Sequence, residues 1–203
     1  MPTPLDILLD PISIGVIALY ISLITLEYLN PARPLTKVKG WLIRGMLSFT
    51  LYFYLASYLP LLWDSYLAEY QIFDLSELHP VLGILIALLV FEFFIYAWHW
   101  SLHSSRWLWQ SFHQLHHSAE RVDTFGAFYF SPLDMIGFTF VGSLSTALFV
   151  GLAPSASTYF LYITLFLAIF QHTNINTPRW LGYIIQRPES HSLHHAKGIH
   201  AYN

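Results

Sequence analysis

Residues 81–117 read VLGILIALLVFEFFIYAWHWSLHSSRWLWQSFHQLHH. The first half, Val81 to Trp98, is apolar apart from Glu92 and long enough to cross a bilayer as a helix. The second half is dense in imidazole. His99 and His103 are spaced i, i+4; His113, His116 and His117 are spaced i, i+3, i+4. On a helix each spacing sets its histidines on one face, one turn apart. A third group, His191, His194 and His195, repeats the HxxHH pattern near the end of the chain. Together the three groups hold eight of the eleven histidines, and such a concentration reads as a metal site. The stretch therefore defines a membrane helix that runs directly into metal ligands.

The rest of the chain extends that reading. Its 203 residues are 55% hydrophobic and only 10% charged, against about 25% charged in soluble domains. One membrane domain over residues 1–203 is expected, with the catalytic portion at about 81–203. A first span covers Ile12–Leu29, with Glu27 near its end, and a second covers Trp41–Trp63. Asp64–Pro80 is a polar loop without Lys or Arg. Two further apolar runs, Leu133–Ala153 and Ser155–Gln171, are separated by Pro154 and form either two spans or a helical hairpin. Pro188 suits the first turn of a helix carrying His191, His194 and His195, and Gly198 suits its end. The expected fold is all-α: an integral membrane bundle of about four transmembrane helices with a cytoplasmic histidine-rich helical cap.

Charge supplies an orientation. With loop 30–40 in the cytoplasm, Arg33, Lys37, Lys39, Arg44, Arg106, Arg121, Arg179, Arg187 and Lys197 all fall on that side or within a turn of it. The same topology sets every grouped histidine on one side. No basic leader with a small-residue cleavage site is seen, so no cleaved signal peptide is expected. The net charge of −3, mixed in sign, points away from nucleic acid. The absence of cysteine removes disulfides, iron–sulfur clusters and thiolate-ligated haem from the chain.

Any metal must then be held by nitrogen and oxygen. Eight histidines exceed the roughly four ligands of one zinc ion. Adjacent pairs such as His116-His117 and His194-His195 point about 100° apart on a helix, so each pair can serve two neighbouring ions. The expected site is dinuclear, between the end of the third span and two short cytoplasmic helices. His172 returns to the same side as a ninth ligand, and His200 is a candidate tenth ligand or support. Glu92, Tyr96, His99 and His103 share a helix face. Glu92 is then either a carboxyl that orients a ligand histidine or a buried protonated acid lining the bundle. Asp123 is either such a support or a solvated loop residue.

Three function classes compete. A histidine-rich pair of redox metals suits dioxygen activation, and its place at the membrane face suits a lipid substrate. A non-catalytic metal-binding membrane protein is the second class. A transporter, however, would hold its ligands at the bilayer midplane within broken helices, whereas these lie at the ends of spans. A zinc-dependent lipid hydrolase is the third, and it needs neither oxygen nor reductant.

The motifs His99-x3-His103, His113-Gln-Leu-His116-His117-Ser118 and His191-Ser-Leu-His194-His195 resemble those of the fatty acid hydroxylase/sterol desaturase superfamily, membrane di-iron oxygenases. Gln171-His172-Thr173-Asn174 and the final Asn203 extend the resemblance, which covers about residues 81–203 and makes Asn174 a further candidate support. It implies two iron ions, dioxygen as co-substrate, and hydroxylation or desaturation of a sterol, fatty acyl chain or related lipid. With no cytochrome b5-like segment, it implies a separate electron-transfer protein. Ser131-Pro132 stands where many relatives have His-Pro. The superfamily commonly continues past the point where this chain stops, so the resemblance implies either a fragment or an unusually short protein. A bacterial inner membrane, with the boxes facing the cytoplasm, is the expected location.

Overall fold

Proline marks where the helices begin. In the computed structural model, which describes residues 1–196, seven helices open on one. They are α1 (Pro4–Leu9), α2 (Pro11–Leu29), α4 (Pro60–Ala68), α5 (Pro80–Ser104), α8 (Pro132–Ser143), α9 (Pro154–Phe170) and α10 (Pro188–His194). Proline lacks the N–H that a first turn cannot pair, and its fixed φ already suits the helix. Asp10 and Ser131 add side-chain caps, accepting from Ile12 N and Asp134 N. The remaining helices are α3 (Trp41–Tyr58) and two short ones, α6 (Arg106–Leu108) and α7 (Gln114–His117).

The protein is an integral membrane, all-α chain. Four helical stretches are long and apolar enough to cross a bilayer: Pro11–Leu29, Trp41–Ala68, Pro80–Ser104 and Pro132–Phe149. Their faces are largely unburied within the protein, as expected of helices solvated by lipid. The expected polar loop 64–80 begins inside a helix, because α4 continues the apolar character of α3 to Ala68. The third span also runs further than its apolar run, to Ser104, so His99 and His103 sit on the membrane helix itself. Pro132–Phe149 ends in a π-helical stretch, Leu144–Phe149. The only strands among the described residues are two-residue segments, β1 (Phe73–Asp74) and β2 (Val150–Gly151), paired in parallel.

The chain divides into two compact units, with α3, α7 and α9 contributing residues to both. The first comprises Met1–Thr50, Leu115–Tyr129 and the described residues from Leu165. Its core is aromatic. Tyr20 of α2 stacks on Phe49 of α3 with ring centroids 4.1 Å apart, and Phe125 and Phe128 close over the pair. Gly45 permits that approach, because a Cβ there would lie 2.5 Å from the Phe125 carbonyl oxygen. The second unit comprises Leu51–Gln114 and Phe130–Thr164. Ala87, Val150 and Phe160 form its core, and Gly137 of α8 lets Trp98 of α5 pack close.

Candidate metal centre

The four-histidine cluster of the first unit is built by three segments. α7 brings His116, the turn after α9 brings His172, and α10 with its C-cap brings His191 and His195. One ring nitrogen from each lies within 4.8 Å of the others. His172 Nε2 is 3.1 Å from His116 Nε2 and 3.0 Å from His191 Nε2, and His195 Nε2 is 3.1 Å from His191 Nε2. His116, His172 and His191 are buried.

The His172 ring has a fixed role in this set. Its Nδ1 is 2.8 Å from the Ala168 carbonyl oxygen, which only accepts, so Nδ1 carries the proton. The Nε2 lone pair is thereby directed at two other ring nitrogens. A cation at the convergence satisfies those lone pairs together, whereas a hydrogen-bond network can place one proton between any two. The residues present therefore fit a nitrogen-ligated metal ion.

The adjacent pairs divide as their helical geometry requires. His116 and His195 belong to the four-histidine cluster. Their neighbours His117 and His194 face each other instead, with ring centroids 4.7 Å apart. The planes of His116 and His117 are 86° apart, and those of His194 and His195 are 85° apart.

In the second unit His99, His103 and His113 converge. One nitrogen of each lies within 4.8 Å of the others, and His99 Nε2 is 3.1 Å from His113 Nε2. His113 Nδ1 lies 2.7 Å from Asp134 Oδ2, at a site where both side chains are almost fully excluded from solvent. A carboxylate on the distal nitrogen fixes the tautomer and leaves Nε2 to bind metal. A π-helical stretch over Trp109–His113 leads into α7, which carries His116 and His117.

The expected supports fare unevenly. Glu92 is exposed on α5, and no hydrogen bond or ion pair to a described histidine involves it. Asp123 is not a solvated loop residue. It has no exposed surface, and it accepts from Trp41 Nε1 at 2.9 and 3.0 Å and from Arg121 Nε at 2.6 Å. Asn174 is held by its own backbone and amide, two residues from His172. His200 lies outside the described residues.

Local patterns did not identify two residues. Asp134 reads from sequence as the third residue of a Ser-Pro-initiated helix, where an acid is ordinary. In the structure its backbone takes the cap from Ser131, and its carboxylate turns to His113. Ser131 also donates to the Phe112 carbonyl oxygen at 2.7 Å, tying the start of α8 to the residue before His113. At the other cluster, Glu189 in the first turn of α10 accepts from Thr177 N and Oγ1, both at 2.7 Å, and pairs with Arg187. Burial pushes its carboxyl up, but the bonds from Thr177 and Arg187 outweigh that and hold it below the usual value.

Comparison with known proteins adds an independent line. Residues 84–203 match the family described as fatty acid hydroxylase. Cholesterol 25-hydroxylase of Rattus norvegicus is 27% identical over 134 residues, covering 61% of this chain and 43% of that protein. The Homo sapiens cholesterol 25-hydroxylase is 25% identical over 122 residues, covering 56% and 43%. A cholesterol 25-hydroxylase-like protein of Danio rerio is 24% identical over 139 residues, covering 66% and 53%. The chain thus spans about half or less of the length of the curated relatives it matches. No solved structure matches it.

Proposed function

Since this chain belongs to the fatty acid hydroxylase family, we propose that it is a membrane di-iron oxygenase. It uses O2 and two electrons from a separate donor protein to hydroxylate a lipid. The overall change is R–H + O2 + 2e⁻ + 2H⁺ → R–OH + H2O. The observation that carries this reading is the convergence of imidazole nitrogens at His116, His172, His191 and His195, the first three of them buried. In this reading those four residues hold one ion. His99, His103 and His113 hold another, and His117 and His194 are the remaining ligand candidates. Bound iron would supply the dioxygen-derived oxidant that attack on an unactivated C–H bond requires.

The protein's own groups do the rest. Asp134 holds the Nδ1 proton of His113, and the Ala168 carbonyl holds that of His172, so both Nε2 atoms stay free for metal. Scarcity of carboxylates around the histidines favours redox metal over the carboxylate-assisted hydrolytic zinc site. The four spans favour a substrate drawn from the bilayer. The names of the matched relatives support a sterol or comparable lipid as substrate, and hydroxylation over desaturation. The distribution of Lys and Arg supports histidine groups facing the cytoplasm, and a bacterial inner membrane is the setting we favour.

Incubation of the purified protein with ¹⁸O2, an artificial reductant and a panel of sterols and fatty acyl lipids tests the reading. The expected product is an alcohol carrying one ¹⁸O atom, formed only when reductant is present. A product with oxygen derived from water, or turnover without O2, overturns it.

A further inference from the structure

The four-histidine cluster lies in a unit whose first fifty residues fall outside the stretch matched to the family. Those residues nevertheless touch all three segments that bear its ligands. Glu27, near the end of α2, accepts three hydrogen bonds on one oxygen, Oε2. They come from Thr124 N at 2.8 Å, Thr124 Oγ1 at 2.6 Å and Asn174 N at 3.1 Å. Thr124 belongs to the strap that follows His116 and His117, and Asn174 is two residues past His172. The segment after α2 continues the contact. Ala32 N donates to the Asn174 carbonyl at 2.8 Å, and Asn174 Nδ2 donates to the Arg33 carbonyl at 2.7 Å. Arg33 then reaches Ser192 Oγ of α10 at 3.2 Å.

We infer that Glu27 is a positioning residue for the four-histidine cluster: it clamps the strap after α7 to the turn after α9, and so sets where His172 stands against His116. The geometry is specific to that task. The donors Thr124 N and Asn174 N are backbone groups of segments far apart in sequence, and Glu27 Oε2 is the single atom that joins them. The end of α9 holds the His172 ring through the Ala168 carbonyl and Thr173 through the Phe170 carbonyl, so where that end stands against α7 depends on what fixes Asn174. Removing the acceptor leaves Asn174 N and Thr124 N to find new partners. His172 Nε2 then loses its fixed distance to His116 and His191.

The inference rests on the proposed metal-binding function, and cobalt titration separates the two. The full-length chain is purified in detergent without oxygen and titrated with Co2+, whose visible bands report nitrogen coordination; ions per chain, Kd and Tm are read for each variant. Glu27→Ala is expected to weaken one of the two ions by about ten- to a hundred-fold, the range for losing a group that orients a ligand. Glu27→Gln keeps an oxygen acceptor and is expected to retain near wild-type affinity. Phe49→Ala, which loosens the aromatic packing of α2, α3 and the strap but leaves the Glu27 acceptor in place, is expected to lower Tm and leave affinity unchanged. Wild-type affinity for both ions in Glu27→Ala overturns the inference alone. So does a Glu27→Gln as weak as the alanine variant, or an equal loss of affinity in Phe49→Ala. A wild-type chain that binds no Co2+ overturns the proposed metal site and the inference with it. Should Glu27→Ala fail to insert, Thr124→Val decides: a smaller loss at the same ion is expected, and unchanged affinity overturns the clamp.

Discussion

His113 Nδ1 and Asp134 Oδ2 lie 2.7 Å apart, and the two side chains are 1% and 0% exposed. The contact joins a π-helical stretch to the first turn of α8, across 21 residues of sequence. A carboxylate so placed keeps the proton on Nδ1 and raises the basicity of Nε2. Asp134→Asn should therefore lower metal affinity at the His99–His103–His113 cluster by about ten- to a hundred-fold while leaving the other ion in place. Equilibrium titration with Co2+, read as two resolved affinities, checks this. Equal affinities in variant and wild type would remove Asp134 from the site.

Among the described residues, His172 is the ligand candidate that stands alone in sequence, outside the three histidine groups. His172→Ala should reduce bound iron from about two ions per chain to about one, because three imidazoles and solvent hold an ion less well than four. Membrane insertion should be unchanged. Elemental analysis after anaerobic reconstitution checks it. A variant that keeps full iron would return His172 to packing.

Asp123 is a structural anchor. Trp41 Nε1, Arg121 and Gly126 N all converge on its carboxylate. Asp123→Ala leaves the Trp41 indole N–H without its acceptor and takes the ion-pair partner from the half-buried Arg121, and should cost about 1–3 kcal/mol. A Tm drop of several degrees in detergent, with iron content kept where the protein stays folded, is the expected result.

Gly45→Ala tests the close approach of the 119–129 strap to α3. Its new Cβ would lie 2.5 Å from the Phe125 carbonyl oxygen, a backbone atom with little room to yield. The expected cost is about 1–3 kcal/mol, the range for overpacking a filled site. Thermal unfolding of the variant in detergent measures it.

Much of this was readable from the residues. The spans show as apolar runs, and prolines at Pro11, Pro80, Pro132 and Pro188 mark helix starts, because both signals are local. The division of His116 from His117 follows from the angle between neighbours on a helix. What local reading misses is long-range or phase-dependent. Asp134 and Glu27 act on residues 21 and 147 positions away, at His113 and Asn174, and neither has a motif of its own. The π-helical turn that ends at His113 is not signalled by any spacing rule. Glu92 shows the opposite failure: it shares a helix face with His99 by spacing, yet it stands exposed.

The central claim is that the buried imidazoles hold two iron ions. The most direct measurement is iron per chain in the full-length protein, purified and reconstituted without oxygen and freed of loosely bound metal. The account predicts about two irons per chain, bound through nitrogen, and a joint loss of iron and lipid oxidation in His116→Ala or His194→Ala. A reconstituted protein that retains no iron, or either variant retaining its full iron, would contradict it.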